Sequence, residues 1–111
     1  MGTSERWTKD ADVGDSYVSL ANLLGLPSNF PTEVVLGDLN VQVSGLTYVT
    51  VPRGSAKPDD TVRGVQYPSG TIRVLDSSVP GYGFRLDEMY VKETTPAGGC
   101  IVVVSAITRS P

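Results

Sequence analysis

The stretch from Cys100 to Ile107 constrains the fold most. Cys100, Val102, Val104 and Ala106 share one parity, and Ile101, Val103 and Ile107 share the other. A strand side chain alternates between the two faces of its sheet, so neither face of this strand is polar. Its uninterrupted apolar part, Ile101 to Val104, is far too short to cross a bilayer. The strand is therefore either covered on both faces by its own chain, or covered on one and set against another subunit on the other. Ile101, Val103 and Ile107 are the candidate interface residues, because a monomer this small has little material with which to cover a second face.

The grammar of the preceding residues is also that of strands. Val34 to Leu36 is a short apolar run, and Leu39, Val41 and Val43 alternate with Asn40 and Gln42. Leu46 to Val51, Thr61 to Tyr67 and Thr71 to Leu75 follow, with Ser44-Gly45, a polar loop from Arg53 to Asp60 and Pro68-Ser69-Gly70 between them. Phe84 to Lys92 and Cys100 to Ile107 flank Pro96-Ala97-Gly98-Gly99 and read as an antiparallel hairpin. Within Phe84 to Lys92, Phe84 and Leu86 have one parity and Met89 and Val91 the other, so both faces are covered or a bulge lies near Asp87-Glu88. Turn signals about every ten residues point to an all-β fold. The expectation is a single small β-sandwich or jelly-roll-like barrel of about seven strands, spanning residues 16–111.

Ahead of it, residues 1–15 read as an extended polar arm in which Trp7 is the only large apolar group. A lone Trp on a polar arm anchors a neighbouring surface or folds back on its own domain; Trp7 is taken as a candidate interface residue. Residues 16–25 are the one helix candidate. Tyr17, Leu20, Ala21 and Leu24 follow the i, i+3, i+4, i+7 pattern, with Asp15 as N-cap and Gly25 just past the end. No apolar signal core is present in Met1 to Asp15, so synthesis in the cytoplasm is the expectation.

The chemistry available is narrow. The 111 residues include no histidine and one cysteine, which removes Ser–His and Cys–His nucleophile pairs and any zinc site built from Cys and His in one chain. Cys100 lies among apolar neighbours and reads as a packed, inert thiol. No phosphate-cradling or dinucleotide glycine motif is present. The carboxylates Glu33, Asp38, Asp59, Asp60, Asp87 and Glu88 leave a glycosidase pair or an oxygen-ligand calcium site open in principle, but Asp87 and Glu88 would point to opposite faces of a strand and no EF-hand spacing occurs. The expectation is no enzyme, no cofactor and no metal. A net charge of −3 supplies no basic stripe for nucleic acid. Arg53, Arg63 and Arg73 recur every ten residues and read as solvated strand ends, with an anion-binding ladder as the alternative. Tyr82, between Gly81 and Gly83, is the candidate loop residue for stacking on a sugar.

The C-terminal third carries a resemblance. Phe84-Arg85-Leu86-Asp87-Glu88-Met89-Tyr90-Val91-Lys92, then Thr94-Thr95-Pro96-Ala97-Gly98-Gly99 and a valine-rich strand, resembles small virion proteins of tailed bacteriophages. What the resemblance implies is an all-β head, collar or tail component that acts by assembly and has no catalytic residues. The expected partners are then protein subunits, a homo-oligomer within a larger virion assembly, with no nucleic acid and no membrane. The rival expectation is a small carbohydrate- or receptor-binding β module.

Overall fold

The computed structural model describes residues 4–27, 30–52, 54–76 and 84–109. Among them are nine strands and one short helix, arranged as two antiparallel sheets packed face to face. The larger sheet contains β1 (Ser4–Asp12), β9 (Ile101–Arg109), β3 (Glu33–Gln42) and β6 (Ile72–Asp76) in that order, with β7 (Phe84–Arg85) also paired to β3. The smaller sheet is β2 (Val18–Ser19), β8 (Met89–Glu93), β4 (Leu46–Thr50) and β5 (Val65–Tyr67). The all-β sandwich expected from turn spacing is the fold.

The core lies between the sheets. Leu39, Val41, Leu75, Val102, Val104 and Ala106 of the larger sheet meet Leu46, Met89 and Val91 of the smaller. The helix α1 (Leu20–Leu23) and the turn after it plug one side with Leu20, Ala21, Leu24 and Leu26.

Several elements differ from the sequence expectation. Residues 4–12 do not form a loose arm: β1 pairs with β9 along its whole length, from Ser4 opposite Arg109 to Asp12 opposite Ile101. Its charges mask a period-two pattern in which Trp7 and Ala11 pack against the core while Arg6, Thr8, Asp10 and Asp12 face solvent. As an edge strand it presents free backbone groups, and charge along it discourages pairing with foreign strands. The helix shrinks to Leu20–Leu23 because Val18 and Ser19 pair with Val91 and Tyr90. Ser19, not Asp15, caps it, its hydroxyl accepting from the Asn22 N–H at 3.2 Å. Gly25 takes a φ of 71°, as a residue ending a helix in the left-handed region does.

Phe84 to Lys92 is two strands in different sheets. β7 pairs with β3 in the larger sheet, residues 86–88 turn, and β8 pairs with β4 in the smaller one. The change of parity between Leu86 and Met89 is the mark of that crossing. For the same reason β8 and β9 are not a hairpin: β8 lies between β2 and β4, and β9 between β1 and β3. The expected strand over Thr61 to Tyr67 is limited to Val65–Tyr67, and residues 59–64 instead pack against the outside of the smaller sheet.

Candidate interaction surface

β9 settles how its two apolar faces are used. Cys100, Val102, Val104, Ala106 and Thr108 point into the sandwich and are buried; Ile101, Val103, Ser105 and Ile107 face outward and are half-buried. The register extends that outer row sideways. Ile107 lies beside Leu36, Ser105 beside Asp38 and Val103 beside Asn40 on β3. Asp38 and Asn40 lie in turn beside Val74 and Ile72 on β6. Leu36, Ile72 and Val74 are 52%, 64% and 67% exposed, so the outer face of the larger sheet carries six apolar side chains, interspersed with Ser105, Asp38 and Asn40.

A bulge at Val35 sets this arrangement. The pairing of β3 with β9 shifts between Val34 and Leu36, which brings Leu36 outward and Leu39 and Val41 inward. Next to Leu36 the strands approach closely. A Cβ on Gly37 would lie 2.6 Å from the Ser105 carbonyl oxygen and 2.8 Å from the Ala106 Cα, so only glycine fits. The short side chain of Ser105 leaves an open groove of about 490 Å³ on the outer face, floored by the Gly37 backbone and bordered by Arg6, Leu36, Asp38, Val74 and Ile107.

Trp7 does not belong to this face. It points inward, its indole N–H donates to the Thr108 hydroxyl at 2.8 Å, and its ring meets Phe30 edge-on at 6.0 Å. It is therefore a core residue that closes one end of the sandwich. Tyr82 and Arg53 lie outside the described residues. Of the other two arginines in the ten-residue echo, Arg63 is exposed in a loop, whereas Arg73 points between the sheets with its guanidinium 4.8 Å from the centre of the Tyr48 ring. The two share no face and form no ladder.

The smaller sheet is covered on the outside by its own chain. Tyr17 donates its hydroxyl to the Val62 carbonyl at 2.7 Å and its backbone N–H to Asp60 at 3.0 Å. The Lys92 ammonium sits 4.8 Å from the centre of the Tyr17 ring. Burial, with the nearby Asp60 charge, pushes the Tyr17 phenol above its usual value. Hydrogen bonds from Tyr17 to Asp60, and from the Thr61 N–H and hydroxyl to Asp59, hold both carboxyls below the usual range. Asp60 thus ties the 59–64 loop to Tyr17, and Asp59 braces the turn within it.

Three of the four remaining candidate carboxylates are engaged by arginines. Residues 86–88 form a turn rather than a strand, so Asp87 and Glu88 both reach the Arg85 guanidinium, at 3.1 and 3.9 Å, contrary to the opposite-face expectation. Glu33 pairs with Arg109 at 2.9 Å. Asp38 is the carboxylate of the outer groove. Among the described residues no cluster of carboxylates and Cys has metal-holding geometry, and no helix is long and apolar enough to cross a membrane. Cys100 is buried, and burial together with the Glu93 charge pushes its thiol up, away from nucleophilic chemistry. No family model matches the chain, and no curated protein matches it.

Proposed function

We propose that this protein is a non-enzymatic assembly module, a structural component of a virus particle that works by binding neighbouring subunits. The observation that carries this reading is the bare outer face of the larger sheet. Ile101, Val103, Ile107, Leu36, Ile72 and Val74 give it six outward apolar side chains interspersed with Ser105, Asp38 and Asn40, a mixed surface of the kind that protein contact sites use. The likeness of residues 84–107 to phage virion proteins supports placing that contact in a particle. Catalysis has little to draw on: the chain has no histidine, and Asp59, Asp60, Asp87, Glu88 and Glu33 are committed to structural bonds.

The test is to raise antibodies against the purified protein and probe intact particles from cells that make it, alongside glycan-array binding of the isolated protein. Stoichiometric recovery in particles is the expected result. Absence from particles together with saturable glycan binding by the monomer would overturn the reading in favour of a carbohydrate-binding module.

A further inference from the structure

We infer that the bare face of the larger sheet binds a second copy of this chain, the two sheets stacking face to face about a two-fold axis that crosses the strands. The inference rests on the assembly reading above and names the partner for that surface.

Two sheets that pack face to face keep their strands roughly aligned, about 10 Å apart. A two-fold axis can then lie in the contact plane in two simple ways. An axis along the strands sets β1 of one copy over β6 of the other. By register that sets Thr8 over the partner's Val74 and the Asp10 carboxylate over the partner's Ile72, where an apolar side chain gives the buried charge no partner. An axis across the strands sets each strand over its own copy, running the opposite way.

The second arrangement makes the face complementary to itself. With the axis passing at the level of Lys9, Val104 and Leu39, Arg6 falls opposite the partner's Asp12. Asp38 falls opposite the partner's Asn40, Asp10 opposite the partner's Thr8, Leu36 opposite the partner's Gln42, Val74 opposite the partner's Ile72, and Ile107 opposite the partner's Ile101, so each carboxylate meets a group that can donate a hydrogen bond or carries positive charge. The half-buried Val103 faces the partner's Ser105, where the groove beside Gly37 has room to receive it. Each pairing occurs twice, as an isologous interface requires. The charge order along β1, with Arg6 at one end of its outer row and Asp10 and Asp12 at the other, is what the axis across the strands needs.

The size of the patch sets the strength. Four strands at about 4.8 Å by seven residues at about 3.4 Å give a footprint of about 450 Å² per copy, or about 900 Å² for both. That is about a quarter below the lower end of the range of about 1,200–2,000 Å² for stable interfaces, in the region of weak, transient contacts. Asp10 and Asp38 add negative charge that the single Arg6 leaves unbalanced. The dimer is therefore weak and reversible, suited to a subunit whose lasting contacts form only in a particle.

Sedimentation equilibrium of the full chain from low-micromolar to millimolar protein tests this. The wild type should pass from monomer to dimer. Val74→Asp and Ile72→Asp, each at an exposed position, should remain monomeric with unchanged far-ultraviolet circular dichroism. Arg6→Asp and Asp12→Arg should each weaken dimerisation at least tenfold, and the double variant should return to within threefold of wild type. Failure of the double variant to recover, or a dimer indifferent to both apolar substitutions, would overturn the stacking. A wild type that stays monomeric at millimolar concentration would overturn self-association as a whole. The assembly reading is separately exposed, since it falls only if the protein is also missing from particles.

Discussion

Replacing Trp7 separates a strand built into the fold from an arm that reaches elsewhere. Its ring is half-buried against the core, meets Phe30 edge-on, and donates to Thr108, whose side chain has no solvent exposure. A Trp side chain presents roughly 200 Å². Burying half of that at about 25 cal/mol per Å² is worth about 2.5 kcal/mol. The edge-on ring pair adds about 0.5–1.5 kcal/mol. Leaving the Thr108 hydroxyl without its partner adds about 1–3 kcal/mol. These contributions overlap, so Trp7→Ala should cost about 3–4 kcal/mol, in line with large-to-small core substitutions. Trp7→Phe retains most of the apolar contact and loses the hydrogen bond, and should cost about 1–2 kcal/mol. Urea unfolding followed by far-ultraviolet circular dichroism measures both, since the variants lack the chain's only Trp as a fluorescent probe. With a slope of about 1.5 kcal/mol per molar urea, the midpoint should fall by about 2 M for Trp7→Ala. A shift under about 0.3 M would refute the reasoning and show that β1 contributes little to the fold.

Three further outcomes follow from local geometry. Gly37→Ala should destabilise the protein by about 1–3 kcal/mol, because its Cβ would press on the Ser105 and Ala106 backbone; a neutral effect in thermal unfolding would mean that β3 and β9 separate freely there. The Tyr17 phenol titrates higher folded than unfolded, so its contribution is full below pH 10.0, its ordinary value, and is lost as pH rises through the folded value. Unfolding free energy should therefore drop on the alkaline side, and Tyr17→Phe should lower stability by about 1 kcal/mol at neutral pH while flattening that drop. Cys100 should react with a thiol reagent orders of magnitude more slowly in the native protein than in urea; equal rates would place it at the surface.

The sandwich was legible because its strands obey simple rules. Leu39, Val41, Leu46 and Val102 to Ala106 alternate or run apolar between clear turns, and burial follows that pattern. The parity change between Leu86 and Met89 was visible too, though a sheet crossing and a bulge give the same local signature. β1 was not legible because Lys9 stands between Trp7 and Ala11, interrupting the apolar alternation with a charge. The partner of Trp7, Thr108, is 101 residues away, and nothing near Trp7 distinguishes a distant strand of its own chain from a neighbouring subunit. Half of the outer face was found from β9 alone. Leu36, Ile72 and Val74 join Ile101, Val103 and Ile107 only through strand register, a non-local property that the bulge at Val35 decides.

The contrast between the two sheets carries the functional argument furthest. β-branched residues suit strands whether buried or not, so Ile72 and Val74 alone would be unremarked. Leu36 has no such preference, yet it is half exposed beside Ile107. On the smaller sheet the chain covers an outer face that is less apolar: the 59–64 loop, tied by Asp60 and Val62 to Tyr17, leaves Tyr17 with no exposure and the outward-facing Thr47 with 4%. Gly64 comes so close that a Cβ would meet the Tyr48 carbonyl and the Thr47 methyl. The chain thus spends a loop on the polar outside of one sheet while the apolar outside of the other stays open. In a protein that worked alone, the hydrophobic effect would favour the reverse. In the proposed dimer a second subunit over the larger sheet would remove the conflict, because it would cover the apolar side chains that the chain leaves open.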